Sequence, residues 1–313
     1  MMDYKASNYD FPPYRPPNES TSALIRASRG CPWNKCLFCT MYKTLKFKPR
    51  PVEEVKGDID KAAKIYKGAK TVFIADSDSL VMKDIEEIIR HIKLRFPDID
   101  RITSYARAKT LMKLGVERLK RIREAGLTRV HVGLESGDKE TLEFMQKGAT
   151  PEEMIAGGKV AREANLELSF YILIGAGGKD RLEEHAVESA RVCNEVNPNF
   201  IRLRTLVVQR GSLLGEKKNS GYYKPTSPMD KLKEVKMFIE NLEVNQCELA
   251  SDHFTNNIWV DNKVVYRGVY GRLPQEKQDM LDILDYTLDF LSAIEGEILD
   301  ATILYERGMI HSL

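Results

Sequence analysis

Cysteine is scarce in this chain, five in 313 residues, and histidine equally so. Three of the cysteines nevertheless fall within nine positions, in Cys31-Pro-Trp-Asn-Lys-Cys36-Leu-Phe-Cys39. Three thiols cannot pair off into disulfides. Met1 to Asn18 is polar and proline-rich with no apolar core, so no secretory signal is expected there. A reducing, cytoplasmic compartment is the expectation, and clustered cysteines in such a compartment bind metal or do chemistry. A structural zinc site needs a second Cys or His pair at short spacing; none follows, and His91, the next histidine, stands alone. No apolar run approaches the ~20 residues of a membrane span, so no membrane partner is expected. Nor is there an excess of one charge: 48 Lys and Arg against 46 Asp and Glu give a net +2, which argues neither for nor against a nucleic-acid partner.

What is present is one loop of thiols and a regular alternation of strand and helix signals. Three thiolates can hold three irons of a four-iron cluster and leave the fourth open to a ligand. The apolar run Ala23–Ser28 reads as the first strand. Further strands are predicted at Thr71–Ala75, Arg101–Tyr105, Arg129–Leu134, Leu168–Ile174 and Phe200–Leu206. Helices are predicted at Glu53–Tyr66, Lys83–Arg95, Lys109–Ala125 and Leu182–Val196, with a broken helical region around Gly148 and Pro151. Strands that alternate with helices make a parallel α/β sheet, and six such units suggest an open partial (βα)6 barrel of TIM-like form. Ligands bind at the carboxyl ends of such strands, where the cysteine loop lies. The expected organisation is an extended proline-rich arm over residues 1–20, a core over 21–214 and a mainly helical extension over 215–313 that shapes the substrate side. In that extension Met229–Asn245 and a stretch from Pro274 read as helices, and Ile258–Val260 and Lys263–Tyr266 as short strands around an Asp261-Asn262 turn.

The cysteine loop resembles that of the radical S-adenosylmethionine (radical SAM) superfamily. The usual spacing there is three residues and then two, with an aromatic before the last cysteine. Phe38 supplies the aromatic here, and four residues separate Cys31 from Cys36. Gly133-Leu134-Glu135-Ser136-Gly137 resembles the Gly-x-Glu/Gln-Ser segment of the branch holding oxygen-independent coproporphyrinogen oxidase and Elongator-type subunits. The resemblance implies a [4Fe–4S] cluster on Cys31, Cys36 and Cys39 and S-adenosylmethionine (SAM) as the second cofactor. It further implies an external one-electron donor such as flavodoxin or ferredoxin, anaerobic work, and a 5′-deoxyadenosyl radical that abstracts hydrogen from a substrate. By the same resemblance Asp76, Ser77 and Asp78 take the SAM ammonium, Glu135 contacts SAM with Ser136 beside it, Lys147 binds the carboxylate, and Gly175 receives adenine. Phe38, Ser104 and Arg204 are further SAM-contact candidates by position.

Other residues have plainer readings. Asp76 and Asp78 also suit a helix cap, and Lys147 a solvated helix end. Arg202 and Arg204 share a strand face and need an anion or a carboxylate. His253 reads as a hydrogen-bonded structural histidine, and Lys43, Lys46, Lys48 and Arg50 as a solvated basic loop that would also suit a phosphate. Cys193 and Cys247 read as core residues, Cys247 at a helix end with hydrogen donation as its weaker alternative, and two are too few for a second cluster. No cobalamin or acetyltransferase module is expected, and no RNA-binding signature is evident. A small-molecule or cofactor-pathway substrate is favoured over tRNA. The rival from another class is a zinc-stabilised binding protein; a cluster protein for electron transfer is a third reading.

Overall fold

The computed structural model describes residues 15–261 and 263–310. Most of the proline-rich arm, and Asn262 of the expected turn, lie outside the described residues. Eight strands form the main sheet: β1 (Ala23–Arg26), β2 (Thr71–Ala75), β3 (Arg101–Tyr105), β4 (Arg129–Glu135), β5 (Glu167–Ile174), β6 (Phe200–Thr205), β7 (Cys247–Ala250) and β8 (Tyr270–Leu273). They lie side by side in chain order. The pairings β1–β2, β2–β3, β3–β4 and β6–β7 are parallel, and β7–β8 is antiparallel. This is the expected mainly parallel α/β sheet, with two strands more than the six predicted. Cys247 is the visible correction: it opens β7 and does not end a helix.

The chain divides into two compact units that interleave along the sequence. The first takes residues up to Asn34, Met41–Val132 and Ala156–Ser169. It holds β1–β3 and the first halves of β4 and β5, with helices α1 (Val52–Ile65), α2 (Ile85–Arg95) and α3 (Ala108–Ala125). Helix α2 buries Ile85, Ile88, Ile89 and Ile92, a single stripe at three- and four-residue spacing. Each such isoleucine contributes about 1.5–3 kcal/mol by burial. Gly126 ends α3 at φ 131°, a conformation that side chains disfavour.

The second unit takes Lys35–Thr40, Gly133–Ile155 and Phe170 onward. It holds the ends of β4 and β5, strands β6–β8, and helices α4 (Lys139–Phe144), α6 (Leu182–Val196), α7 (Leu213–Asn219), α8 (Pro228–Glu240), α9 (Lys277–Ala293) and α10 (Ala301–Glu306). Between α4 and α6 the helix α5 (Pro151–Glu163) passes from the second unit into the first. A three-stranded antiparallel sheet forms from Ile258–Val260, Lys263–Tyr266 and Ile298–Asp300. Ser227 starts α8 with a reciprocal capping box to Asp230. Among the described residues no helix is long and apolar enough to cross a membrane.

Candidate cofactor site

In the first unit, β1 runs directly into the thiol loop. Arg26, at the end of β1, is fully buried and needs a counter-charge. Asp76, just past the end of β2, supplies it: Arg26 Nε donates to Oδ2 at 3.2 Å, and the Gly30 N–H donates to the same oxygen at 2.9 Å. The Ser77 hydroxyl donates to the Gly30 carbonyl at 3.0 Å. Two consecutive residues after β2 thus hold both backbone groups of the residue before Cys31. Gly30 sits at φ 76°, which favours glycine. Asn34 N–H donates to Cys31 Sγ at 3.4 Å. The Asn34 amide donates to the Tyr42 carbonyl at 2.6 Å and fastens the far arm of the loop. Arg107 lies over the Trp33 ring, 5.2 Å from its centroid.

Asp78 is fully buried, and burial pushes its carboxyl up to about 7 against the hydrogen bond from Thr110 and the charge of Arg107. Thr110 Oγ1 donates to Asp78 Oδ2 at 2.6 Å, while Oδ1 has no hydrogen-bond partner. The Ser104 hydroxyl is spent on the carbonyls of Ile74 and Tyr105, at 3.1 and 2.9 Å. Of the basic stretch, Arg50 is buried and bonded to the Arg26 carbonyl and to Asp58, each at 2.7 Å, so it serves the fold.

In the second unit, Leu37 anchors the thiol loop. Its N–H donates to the Met145 carbonyl at 3.0 Å, and its carbonyl accepts from Leu214 N–H at 3.2 Å. Phe38 packs against the core of Leu37, Met145, Ala176, Leu206 and Tyr223. The Cys39 N–H donates to the Cys36 carbonyl at 3.3 Å, which turns the chain between the two thiols. Glu135 ends β4 at φ 65° and accepts from Lys147 Nζ at 2.9 Å. The structure therefore brings together two residues that the sequence selected twelve positions apart. A Cβ on Gly133 would lie 2.0 Å from Glu135 Oε1 and 2.9 Å from Lys147 Nζ, so this pair lies over a glycine.

Ser136 is buried; its Oγ accepts from Asp138 N–H at 3.0 Å and lies 2.7 Å from His185 Nδ1. Gly175 follows β5 at φ 89°, with its N–H on Glu234 Oε1 at 2.8 Å and its carbonyl accepting from the Tyr223 hydroxyl at 2.6 Å. Arg204 donates to Asp252 at 3.3 Å and lies over the Tyr171 ring; Arg202 lies 3.6 Å from Glu248 and 3.7 Å from Asp252. These arginines have the carboxylate partners they require. His253 accepts from Thr255 N–H at 3.3 Å, and burial together with the Arg204 charge pulls it down to about 4. Cys193 and Cys247 are both buried, and burial raises the Cys193 thiol well above its ordinary value. A small cleft of about 20 Å³, room for a water molecule, lies at the ends of β5 and β6, lined by Ile174, Thr205, Lys231, Asn256, Tyr266 and Asp300. The Tyr266 hydroxyl there is buried without a hydrogen-bond partner.

Sequence reasoning missed Arg26, Gly30, Tyr223, His185 and Glu234. Glu234 had a signal: with Lys231 it is a charge among Leu232, Val235, Phe238 and Ile239 on the buried stripe of α8. Charges on a buried stripe mark a polar commitment.

Cys31, Cys36 and Cys39 are half-buried, and among the described residues no three His, Cys, Asp or Glu side chains are gathered closely enough to hold a metal ion. As a donor set they fit a cluster with one open iron: three thiols, no fourth ligand in the loop, and a backbone N–H on the first sulfur. A parallel α/β sheet with such a loop after its first strand defines a cluster-binding enzyme class.

Comparison with known proteins gives the family. Residues 25–189, more than half of the chain, match the Radical SAM superfamily, and the chain belongs to it. It is an enzyme of that class, with a [4Fe–4S] cluster and SAM as its cofactors. An uncharacterized methyltransferase of Pyrococcus horikoshii is 29% identical over 190 residues, 59% of this chain and 38% of that protein. The 4′-phospho-dehydrooxetanocin synthase of Priestia megaterium is 27% identical over 183 residues, 51% of this chain and 25% of that one. The chain thus spans well under half the length of these relatives. In fold it is similar to coproporphyrinogen III oxidase of Escherichia coli, with a TM-score of 0.54 at 16% identity over 70% of this chain and 51% of that one.

Proposed function

We propose that this enzyme abstracts hydrogen from a small molecule, with Cys31, Cys36 and Cys39 as its cluster ligands. The observation that carries the ligand assignment is the thiol loop itself, which leaves the carboxyl end of β1 with Gly30 held at both backbone groups by Asp76 and Ser77. When bound, the cluster and SAM supply reductive cleavage of the sulfonium to methionine and a 5′-deoxyadenosyl radical, with the electron from an external donor.

The chain's own residues bind and orient. In the first unit, Asp78 is fully buried with its carboxyl on the Thr110 hydroxyl, so it supports the loop after β2 from behind and does not reach the cofactor. The carboxylate of Asp76 is engaged with Arg26 and Gly30, so it acts first by holding the loop. In the second unit, Lys147 is the cation for the SAM carboxylate, and Glu135 holds its ammonium in place until the cofactor arrives. The turn that Gly175 makes after β5, held by Glu234 and Tyr223, takes the adenine end. A small-molecule substrate agrees with the relative whose name gives 4′-phospho-dehydrooxetanocin as its product.

The test is anaerobic incubation of reconstituted, dithionite-reduced protein with SAM, followed by mass spectrometry. The expected result is 5′-deoxyadenosine and methionine from the native chain and neither from Cys36→Ala. Cluster-loaded native protein that leaves SAM intact would support electron transfer and overturn the reading.

A further inference from the structure

The turn after β5 is held from outside its own segment. Gly175 has no side chain and a left-handed backbone, yet both its peptide groups are engaged by side chains distant in sequence. Its N–H donates to Glu234 Oε1 at 2.8 Å, and its carbonyl accepts from the Tyr223 hydroxyl at 2.6 Å. Glu234 is fully buried on α8, a costly place for a carboxylate unless polar partners offset the loss of water. The same Oε1 lies 3.1 Å from His185 Nε2, in ion-pair range though off hydrogen-bond alignment, while Oε2 has no hydrogen-bond partner. His185 is itself fully buried on α6, and its other nitrogen meets Ser136 Oγ at 2.7 Å. Ser136 directly follows Glu135, so one buried histidine stands between the segment ending β4 and the carboxylate holding the turn after β5. The arrangement looks like a Ser-His-Glu relay, but all three side chains are shut away from solvent, which rules out attack on a substrate. Its geometry is that of a brace.

We propose that Glu234, with Tyr223 and His185, positions the Gly175 turn for the adenine end of SAM. The proposal rests on the reading that this turn receives adenine. Glu234 and Tyr223 are positioning residues: they touch the turn and not the cofactor. Removing the carboxylate leaves the Gly175 N–H without its acceptor and frees the turn to rotate, which a ligand bound through backbone groups must then restrain at its own cost. No residue of this brace belongs to the thiol loop, but Tyr223 shares an apolar core with Leu37 and Phe38, so iron content is measured beside SAM affinity.

The experiment measures SAM affinity by anaerobic equilibrium dialysis on cluster-loaded protein, with iron content and melting temperature alongside. Glu234→Ala is expected to bind SAM roughly 10-fold more weakly or worse, at native iron content, in line with the loss of one bond to a charged acceptor. Glu234→Gln keeps an acceptor oxygen and should come within about 3-fold of native, a rescue that loss of general stability would not give. Tyr223→Phe, which removes only the hydroxyl bonded to the Gly175 carbonyl, should weaken SAM binding by about 3- to 10-fold. Lys147→Ala controls for the underlying site. If it loses SAM affinity while folded Glu234→Ala keeps it, the brace is wrong and the SAM site stands. If both keep native affinity, the SAM-site reading fails and takes the brace with it. Should Glu234→Ala not fold, Tyr223→Phe decides: native affinity there overturns the proposal.

Discussion

At the scale of single residues, the second unit's candidate site turns on a glycine. A Cβ at Gly133 would fall 2.0 Å from the Glu135 carboxylate and 2.9 Å from the Lys147 ammonium, so an alanine there displaces the ends of two flexible side chains. Gly133→Ala is therefore expected to shift the 2.9 Å ion pair and weaken SAM binding by less than Lys147→Ala, at unchanged iron content; isothermal titration measures both. Asp78 gives a pH signature. Its folded value of about 7 lies above the ordinary ~4 of the unfolded chain, so the native state holds the proton more tightly. Stability must then fall as pH rises between those values and level off above about 7. Asp78→Asn, which can still accept from Thr110, should be more stable than the native apoprotein by a few kcal/mol (order of magnitude) at pH 8 and nearly equal at pH 4. An equal gain at both pH values in urea titrations would contradict the burial argument.

At the scale of elements, β1 and its loop depend on one carboxylate. Asp76→Ala would remove the carboxylate that faces the buried Arg26 guanidinium, which costs about 3–5 kcal/mol. It would also free Gly30, so iron content after reconstitution should fall together with the denaturation midpoint. Ser77→Ala should lower iron content alone. Helix α4 has a similar dependence on Asp138, which caps Thr141 N–H at 2.9 Å and takes the Arg181 fork at 2.7 and 2.8 Å. Burial works to raise its carboxyl, but the bonds from Arg181 and Thr141 win and hold it at about 2. The stability it brings is present above pH ~4 and lost as pH falls through about 2. Asp138→Ala should cost about 0.5–2 kcal/mol as a lost cap, and the difference should vanish below that window in acid melts. These element-level ties explain what was legible in sequence and what was not. The helix boundaries followed from apolar spacing and glycine stops, as in α2 and at Gly126. The partners of Arg26 and Gly175 did not, because they come from residues about 50 positions away that only the folded sheet and α8 bring near.

At the scale of the molecule, the alternation of strands and helices announced a parallel sheet with the thiol loop at its carboxyl edge. The six predicted core strands are all present, within two residues at each end. Strand β7 was hidden because Cys247–Ala250 is only four residues long and because the helix expected to run to Asn245 ends at Glu240, and β8 is equally short. The candidate site was legible where chemistry needs a rare residue type, the cysteines above all, and where the family pattern marked Glu135 and Lys147. It was not legible in the buried polar residues that hold those groups, which follow from three-dimensional packing. Cys31, Cys36 and Cys39 are proposed to hold a four-iron cluster whose open iron takes SAM. Low-temperature EPR of anaerobically reconstituted, dithionite-reduced protein, with and without SAM, tests this directly. The expected result is a reduced [4Fe–4S] signal whose g-values shift when SAM is added, and no such signal in the triple Cys→Ala variant. A cluster signal indifferent to SAM, or zinc bound tightly in place of iron, would contradict it.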